Sequence, residues 1–189
     1  MNSAQVITMI CPNAKIGAEV GVWRGKTSKG LLTRNPNLKL YMIDPWRAPQ
    51  SDNSYFDSDK TSRYSQDKFE SALQETKNLV KGLNAVIIRD TSRDAVKQFE
   101  DGYFDFAFID GDHSYEGVKR DINLWKPKVK KGGCLIGHDY YHHSGMDDVR
   151  RAVNELIPNH NVEPRNPQGI WWIKLYVFGL TIQEISIKD

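Results

Sequence analysis

Read by its apolar and polar positions, the chain divides into short apolar runs separated by segments of helical period. "KIGAEVGVW" is a brief β-rich run, and "GKTSKGLLTR" after it reads as a helix opening at a glycine and a threonine. "LKLYMID" is a second strand, bounded by the turn signal "NPN" and by Pro45. From Ser65 the apolar positions Phe69, Ala72, Leu73, Leu79, Val80 and Leu83 recur at helical spacing, and Gly82 is placed to stop that helix. "NAVIIRD" predicts a third strand, "TSRDAVKQF" a short helix capped by threonine or serine, and "YFDFAFID" a fourth strand. Ser114 can cap the next helix, in which Val118, Ile122 and Trp125 share a face before Pro127 ends it. "GCLIGHD" is the fifth strand. "MDDVRRAVNELIP" predicts a helix with acids in its first turn, where they complement the dipole, and Val149, Ala152, Val153, Leu156 and Ile157 on one face. "HNVEP" and "GIWWIKLYVF" close the chain's core as a strand pair with no helix between them.

Five strand-helix repeats followed by a strand pair predict an α/β fold, a mostly parallel sheet covered by helices on both faces with an antiparallel strand at its end. One segment resists the pattern. "RAPQSDNSYFDSDKTSRY", Arg47 to Tyr64, has no sustained period, and a connection of that length in a compact domain reads as a functional lid or as disordered, the lid being the expectation.

Length and charge narrow the picture further. A chain of 189 residues suits one domain, 1–189, rather than two. Apolar residues at 39% and charged residues at 26% exclude the core-poor composition of disordered chains. The formal charge of +2, from 26 basic and 24 acidic residues, gives no footprint for nucleic acid or an anionic membrane. "KPKVKKGG", the densest basic cluster, reads as a solvated connection. Cys11 and Cys134, far apart in sequence, make no disulfide framework and suit a reducing cytosol. The N-terminus lacks the basic start of a signal peptide, and no stretch approaches the roughly 20 apolar residues of a spanning helix. The expectation is a cytoplasmic protein with a small-molecule partner; a homo-oligomer is left open.

Ligands of open α/β sheets bind at the carboxyl ends of the strands, and the unusual residues collect there. Glu19, Gly21 and Gly25 straddle the turn after strand one, where glycine lets the backbone approach a ligand and a helix start offers free N–H groups. A tight turn without a ligand explains the same glycines. Asp44 closes strand two at the position from which an acid can accept both ribose hydroxyls; a turn aspartate before Pro45 is the alternative. Asp90 and Ser92, after strand three, read equally as an adenine edge or an N-cap. Asp110, with Asp112 and His113 behind it, ends strand four, and Asp139 ends strand five. Neighbouring strands would bring Asp110 and Asp139 together, and two carboxylates that close are costly unless a cation or proton lies between them. A pair of caps and solvated loop residues is the plainer reading.

The glycine turn, Asp44, "IDGDHSYEGVKRDINLW", "KKGG" and "HDY", in that order, resemble class I S-adenosylmethionine-dependent methyltransferases, in particular a small bacterial branch with the motif IDGDHSYEG (methyltransferase domain 24-like). The resemblance runs from about Ile16 to Lys174, and its strand-four stretch is far more specific than its glycine turn. It implies a Rossmann-like three-layer sandwich with a seven-stranded sheet of order 3-2-1-4-5-7-6, strand seven antiparallel. It further implies S-adenosyl-L-methionine as cofactor, with Glu19, Gly21 and Gly25 at its methionine end, Asp44 at the ribose, and Asp90 with Ser92 on the adenine side. Asp110 and Asp139 match acids that hold Mg2+ or Mn2+ in related O-methyltransferases. Asp110 also belongs to the cofactor and catalytic set, and His113 matches a base. Trp23 departs from the pattern, since the familiar turn has glycine there.

The activity so implied is methyl transfer to a hydroxyl of a small molecule, sugar or phenol-like. A nicotinamide-dependent oxidoreductase would leave the strand-four cluster unexplained. A metal-dependent hydrolase using the Asp/His cluster would leave the glycine turn and Asp44 without work. A cofactor-binding domain without turnover would share every one of these residues. Tyr55, Phe56, Tyr140, Tyr141 and Trp171 are candidate acceptor-pocket aromatics, equally readable as lid or core.

Overall fold

The computed structural model describes residues 1–48, 64–141 and 147–176. In chain order these form α1 (Ser3–Ile10), β1 (Ile16–Val20), α2 (Lys26–Arg34), β2 (Lys39–Ile43), α3 (Gln66–Leu79), β3 (Ala85–Ile88), α4 (Ser92–Ala95), β4 (Phe104–Ile109), α5 (Tyr115–Trp125), β5 (Val129–Gly137), α6 (Asp148–Leu156), β6 (Asn161–Glu163) and β7 (Ile170–Lys174). The sheet runs β3-β2-β1-β4-β5-β7-β6. Its first five strands pair in parallel, and β7 lies antiparallel to both of its neighbours. Fold class and strand order are those expected.

Side-chain alternation along the strands builds two cores, one on each face. From β4, Phe106 and Phe108 join Leu40 and Met42 of β2 beneath helices α1, α2 and α3. Ala107 and Ile109, one residue out of phase, join Ile43 and Leu135 beneath α4, α5 and α6. Strands covered on both faces need apolar residues at successive positions, which is why they read as unbroken apolar runs.

Helix α1 is an addition to the expected pattern. Asn2 caps it by accepting the Gln5 N–H, while the Gln5 side chain accepts the Asn2 N–H, a reciprocal capping box. Ala4, Val6 and Ile7 are buried, so the N-terminal apolar run is a docked helix face. The two cysteines, remote in sequence, meet in space as free thiols, and the hydrogen bond to Cys134, together with burial, pushes the Cys11 thiol up.

Most of the expected lid, residues 49–63 with Tyr55 and Phe56, lies outside the described residues, as do residues 142–146 of the loop after β5. Among the described residues no helix is long and apolar enough to cross a membrane.

Candidate functional site

Strand order reverses direction of travel between β1 and β4, and a cleft of about 1230 Å³ opens there, at the carboxyl ends of the parallel strands. Its first wall is the turn after β1. Gly21 has φ +87°, and a Cβ placed on it would stand 2.1 Å from the Asp110 carbonyl oxygen, so the turns after β1 and β4 pass each other only because this residue has no side chain. Gly25, at φ +69°, is the N-cap of α2 and leaves the first N–H groups of that helix without a side-chain cap. Glu19, fully buried, accepts a 2.5 Å hydrogen bond from Ser28 of α2. Burial pushes its carboxyl up to about 8; the Ser28 bond opposes this, and the charges of Asp110 and Asp44 reinforce it.

Asp44 closes β2 and faces inward. Its Oδ2 accepts the N–H groups of Val22 (3.0 Å) and Trp23 (2.9 Å), and its Oδ1 accepts that of Trp46 (2.7 Å). The carboxylate lines the cleft and also ties the β1 turn to the β2 turn. Trp23, at the departure from the familiar glycine pattern, has φ +52°, the left-handed region that glycine enters without cost. Its carbonyl accepts from Trp46 Nε1 (2.7 Å) and Thr76 Oγ1 (3.0 Å), which holds the conformation.

The opposite wall belongs to β4 and β5. The Asp110 N–H bonds to the Val20 carbonyl of β1 (2.7 Å), and the His138 N–H bonds to that of Ile109 (3.1 Å), which brings the ends of β4 and β5 together. His113 Nε2 then lies 3.0 Å from Asp139 Oδ2 and 3.6 Å from Asp110 Oδ1. His138 Nδ1 lies 3.1 Å and 3.5 Å from the same two oxygens. Asp139 sits at φ +57°, a strained position of the kind that persists where surrounding contacts over-determine it. Burial pushes both carboxyls up, and the hydrogen bonds and charge of the two imidazoles outweigh it, so both titrate below their ordinary range. The same contacts, against burial, push His138 up to about 10. The ligand atoms of Asp110, His113 and Asp139 all lie within 4.8 Å of one another, and two carboxylate oxygens with an imidazole nitrogen fit a divalent ion.

On the β3 side the site departs from the expected layout. Asp90 is not among the cleft-lining residues; its side chain accepts the Thr91 N–H (2.8 Å). Ser92 lines the cleft, but its hydroxyl donates to Asp121 of α5 (2.7 Å) and accepts from Trp125 Nε1 (2.8 Å). Trp171 is 1% exposed and packs against Gly137, so it belongs to the core. Tyr140 is half-buried and bonds to Asn154, while Tyr141 is exposed.

Two further cleft residues carry little signal in the sequence. His138 precedes Asp139 directly, and only the strand register reveals that its ring reaches Asp110. Asp121 is a buried acid on the same helix face as Val118 and Trp125, and its interruption of that apolar stripe is the one local sign of it.

Known proteins share parts of this sequence and fold. Uncharacterized protein R132 of Acanthamoeba polyphaga mimivirus is 42% identical over 53 residues, covering 28% of this chain and 24% of its own. The chain spans about a quarter or less of the curated relatives it matches, 24% and 12%. Among solved structures, a Bacillus cereus O-methyltransferase in complex with SAH superposes with a TM-score of 0.61 at 14% identity, over 89% of this chain and 77% of that one. The O-methyltransferase NovP gives 0.65 at 17% identity, over 91% and 77%. At these identities the likeness is one of fold. The model of the Methyltransferase domain family matches residues 18–140, the stretch that runs from β1 past Asp139 and supplies all the cleft-lining residues but Gln168. The chain therefore belongs to that family, among the class I S-adenosylmethionine-dependent methyltransferases.

Proposed function

We propose that this methyltransferase transfers a methyl group to a hydroxyl of a small molecule, a sugar or a phenol, with help from Mg2+ or Mn2+ held by Asp110 and Asp139. The observation that carries the reading is the meeting of these two carboxylates at the ends of adjacent strands, with His113 3.0 Å from one of them. The O-methyltransferase fold neighbours, one crystallised with SAH, favour oxygen as the acceptor atom.

The cofactor, when bound, supplies a methyl group already activated on a sulfonium, so the chain has to place and deprotonate the acceptor. Glu19, Gly21, Gly25 and Asp44 would take the cofactor, with Ser92 on the β3 side. A divalent ion in the Asp110–Asp139 set would lower the hydroxyl's pKa. His113 would take the proton as the new C–O bond forms and the C–S bond breaks, and a proton arriving at Nε2 is favoured by the carboxylates of Asp139 and Asp110. That nitrogen cannot hold the proton and ligate the ion together. If the ion takes it, His113 orients the site and the ion alone acidifies the hydroxyl.

The test is S-adenosylhomocysteine binding by calorimetry, followed by turnover on a panel of phenols and sugars with and without chelator. Chelator and Asp139→Asn should abolish turnover, and His113→Ala should lower it by about 10²–10⁴-fold if it is the base. Full activity in chelator with Asp139→Asn unimpaired would overturn the metal-assisted reading.

A further inference from the structure

The carboxylates of the cleft are engaged within the protein. Asp44 holds three backbone N–H groups, and Asp110 and Asp139 face imidazoles. Asp112 accepts from Ser114, Asp121 accepts from Ser92, and both face Arg120. Asp94 pairs with Lys97.

The cations are not all so matched. Arg24 pairs with Glu75 at 3.4 Å, but Lys26, Arg47, Lys68 and Arg93, which also line the cleft, make no ion pair among the described residues. Arg47 and Lys68 are brought to one side of it by Gln66, whose amide accepts from Ala48 N–H (2.9 Å) and donates to the Trp46 carbonyl (3.1 Å), bracketing Arg47.

Between these charges runs an aromatic stack. Lys68 Nζ lies 5.9 Å from the centre of the Tyr64 ring, Tyr64 stacks on Trp23 at 5.6 Å and 19°, and the Arg24 guanidinium lies 5.7 Å over Trp23. Tyr64 is 40% exposed, and Trp23 is the residue held in a left-handed conformation. Backbone strain of that kind collects where a side chain has to be placed for a ligand.

We infer that the methyl acceptor carries an anion, a phosphate or carboxylate taken by Arg47 and Lys68, with the body of the acceptor packed against the exposed edge of Tyr64, whose faces carry Trp23 and Lys68. This rests on the methyltransferase reading and adds to it a substrate class. An arginine fork and a lysine suit a doubly accepting anion, and the edge of an aromatic ring packs against an acceptor without reading its substitution. Arg47 and Lys68, both exposed and without an ion pair among the described residues, put positive charge at this side of the cleft, which favours an anion there.

The test uses the full chain saturated with S-adenosylhomocysteine, titrated calorimetrically with two matched pairs: uridine monophosphate against uridine, and 4-hydroxybenzoate against phenol. At least one anion should bind more tightly than its neutral partner by about tenfold or more, with an affinity that falls as salt rises. Arg47→Gln with Lys68→Gln should remove that advantage, and Tyr64→Ala should weaken the anion while S-adenosylhomocysteine affinity stays unchanged in both variants. The phosphate and carboxylate arms identify which anion the site takes. No anion binding to cofactor-loaded protein, equal binding of anion and neutral partner, or an advantage that survives the double substitution would overturn the inference. A protein that does not bind S-adenosylhomocysteine at all would instead overturn the reading beneath it.

Discussion

The indole N–H of Trp46 donates to the backbone carbonyl of Trp23 at 2.7 Å, and both tryptophans have left-handed φ, 39° and 52°. The bond joins the turn after β2 to the turn after β1, so the cleft wall is held by two residues that each adopt a conformation an L side chain resists. Relief of strain at Trp23 should therefore be measurable. Trp23→Ala keeps the unfavourable φ and loses the contacts with Tyr64 and Phe69. Trp23→Gly loses the same contacts but removes the strain, which is worth about 1–2 kcal/mol. The glycine variant should be the more stable of the two in urea unfolding by about that amount. An alanine variant as stable as the glycine variant would show that Trp23 is not strained.

Asp44 gives a second test, because its three backbone hydrogen bonds make it a structural tie as well as a candidate ribose ligand. Asp44→Asn turns an amide nitrogen toward N–H donors and should cost about 2–3 kcal/mol in unfolding of the ligand-free protein. Loss of cofactor binding in such a variant does not by itself identify a ribose contact. Unchanged stability with lost binding would assign the residue to the cofactor alone.

Glu19 makes the fold pH-dependent in a stated direction. Its folded pKa, pushed up to about 8 chiefly by burial, exceeds the ordinary 4.5, so between these values the native state keeps a proton that the unfolded chain releases. The stabilising contribution is full below 4.5 and is lost as pH rises through 8, a difference on the order of 5 kcal/mol. Glu19→Gln keeps an acceptor for Ser28 and cannot ionise. Its stability relative to the parent should rise steadily from about pH 5 to about pH 9; parallel stability curves would show that the carboxyl is ionised throughout.

What the sequence disclosed follows from how far each signal reaches. Strands β1, β2 and β4 and the Gly133–Gly137 end of β5 are mostly buried, and their apolar runs are local facts that survive without knowledge of the neighbours. The meeting of Asp110 and Asp139 needed only the strand order, because both lie just past paired strand ends, Ile109 opposite Gly137 with His138 next. The part played by His138 was hidden because its ring reaches Asp110 only through the register of β5 against β4, which sets His138 beside Ile109. Helix α1 was hidden because its apolar positions find their partners in α2, where Ala4 fits against Gly30. The engagement of Ser92 by α5 spans 29 residues and depends on how that helix docks.

That engagement supports a last prediction. The Ser92 hydroxyl stands between the buried carboxylate of Asp121 and the indole N–H of the buried Trp125, donating to the first and accepting from the second. Burial pushes the Asp121 carboxyl up, and the Arg120 charge and the Ser92 hydrogen bond hold it back. Ser92→Ala removes both bonds while leaving both partners buried, a loss of about 1–3 kcal/mol. For a chain of this length each 1 kcal/mol lowers the melting temperature by about 2–4 °C. Thermal unfolding of the ligand-free variant should show the fall before any cofactor is added, because the contacts lie between α4 and α5 and need no ligand. S-adenosylhomocysteine affinity, measured at a temperature where both proteins are folded, should change less than stability does. An unaltered melting temperature with a large loss of affinity would reverse the assignment, making Ser92 a contact of the cofactor's adenine side and its bonds to Asp121 and Trp125 incidental.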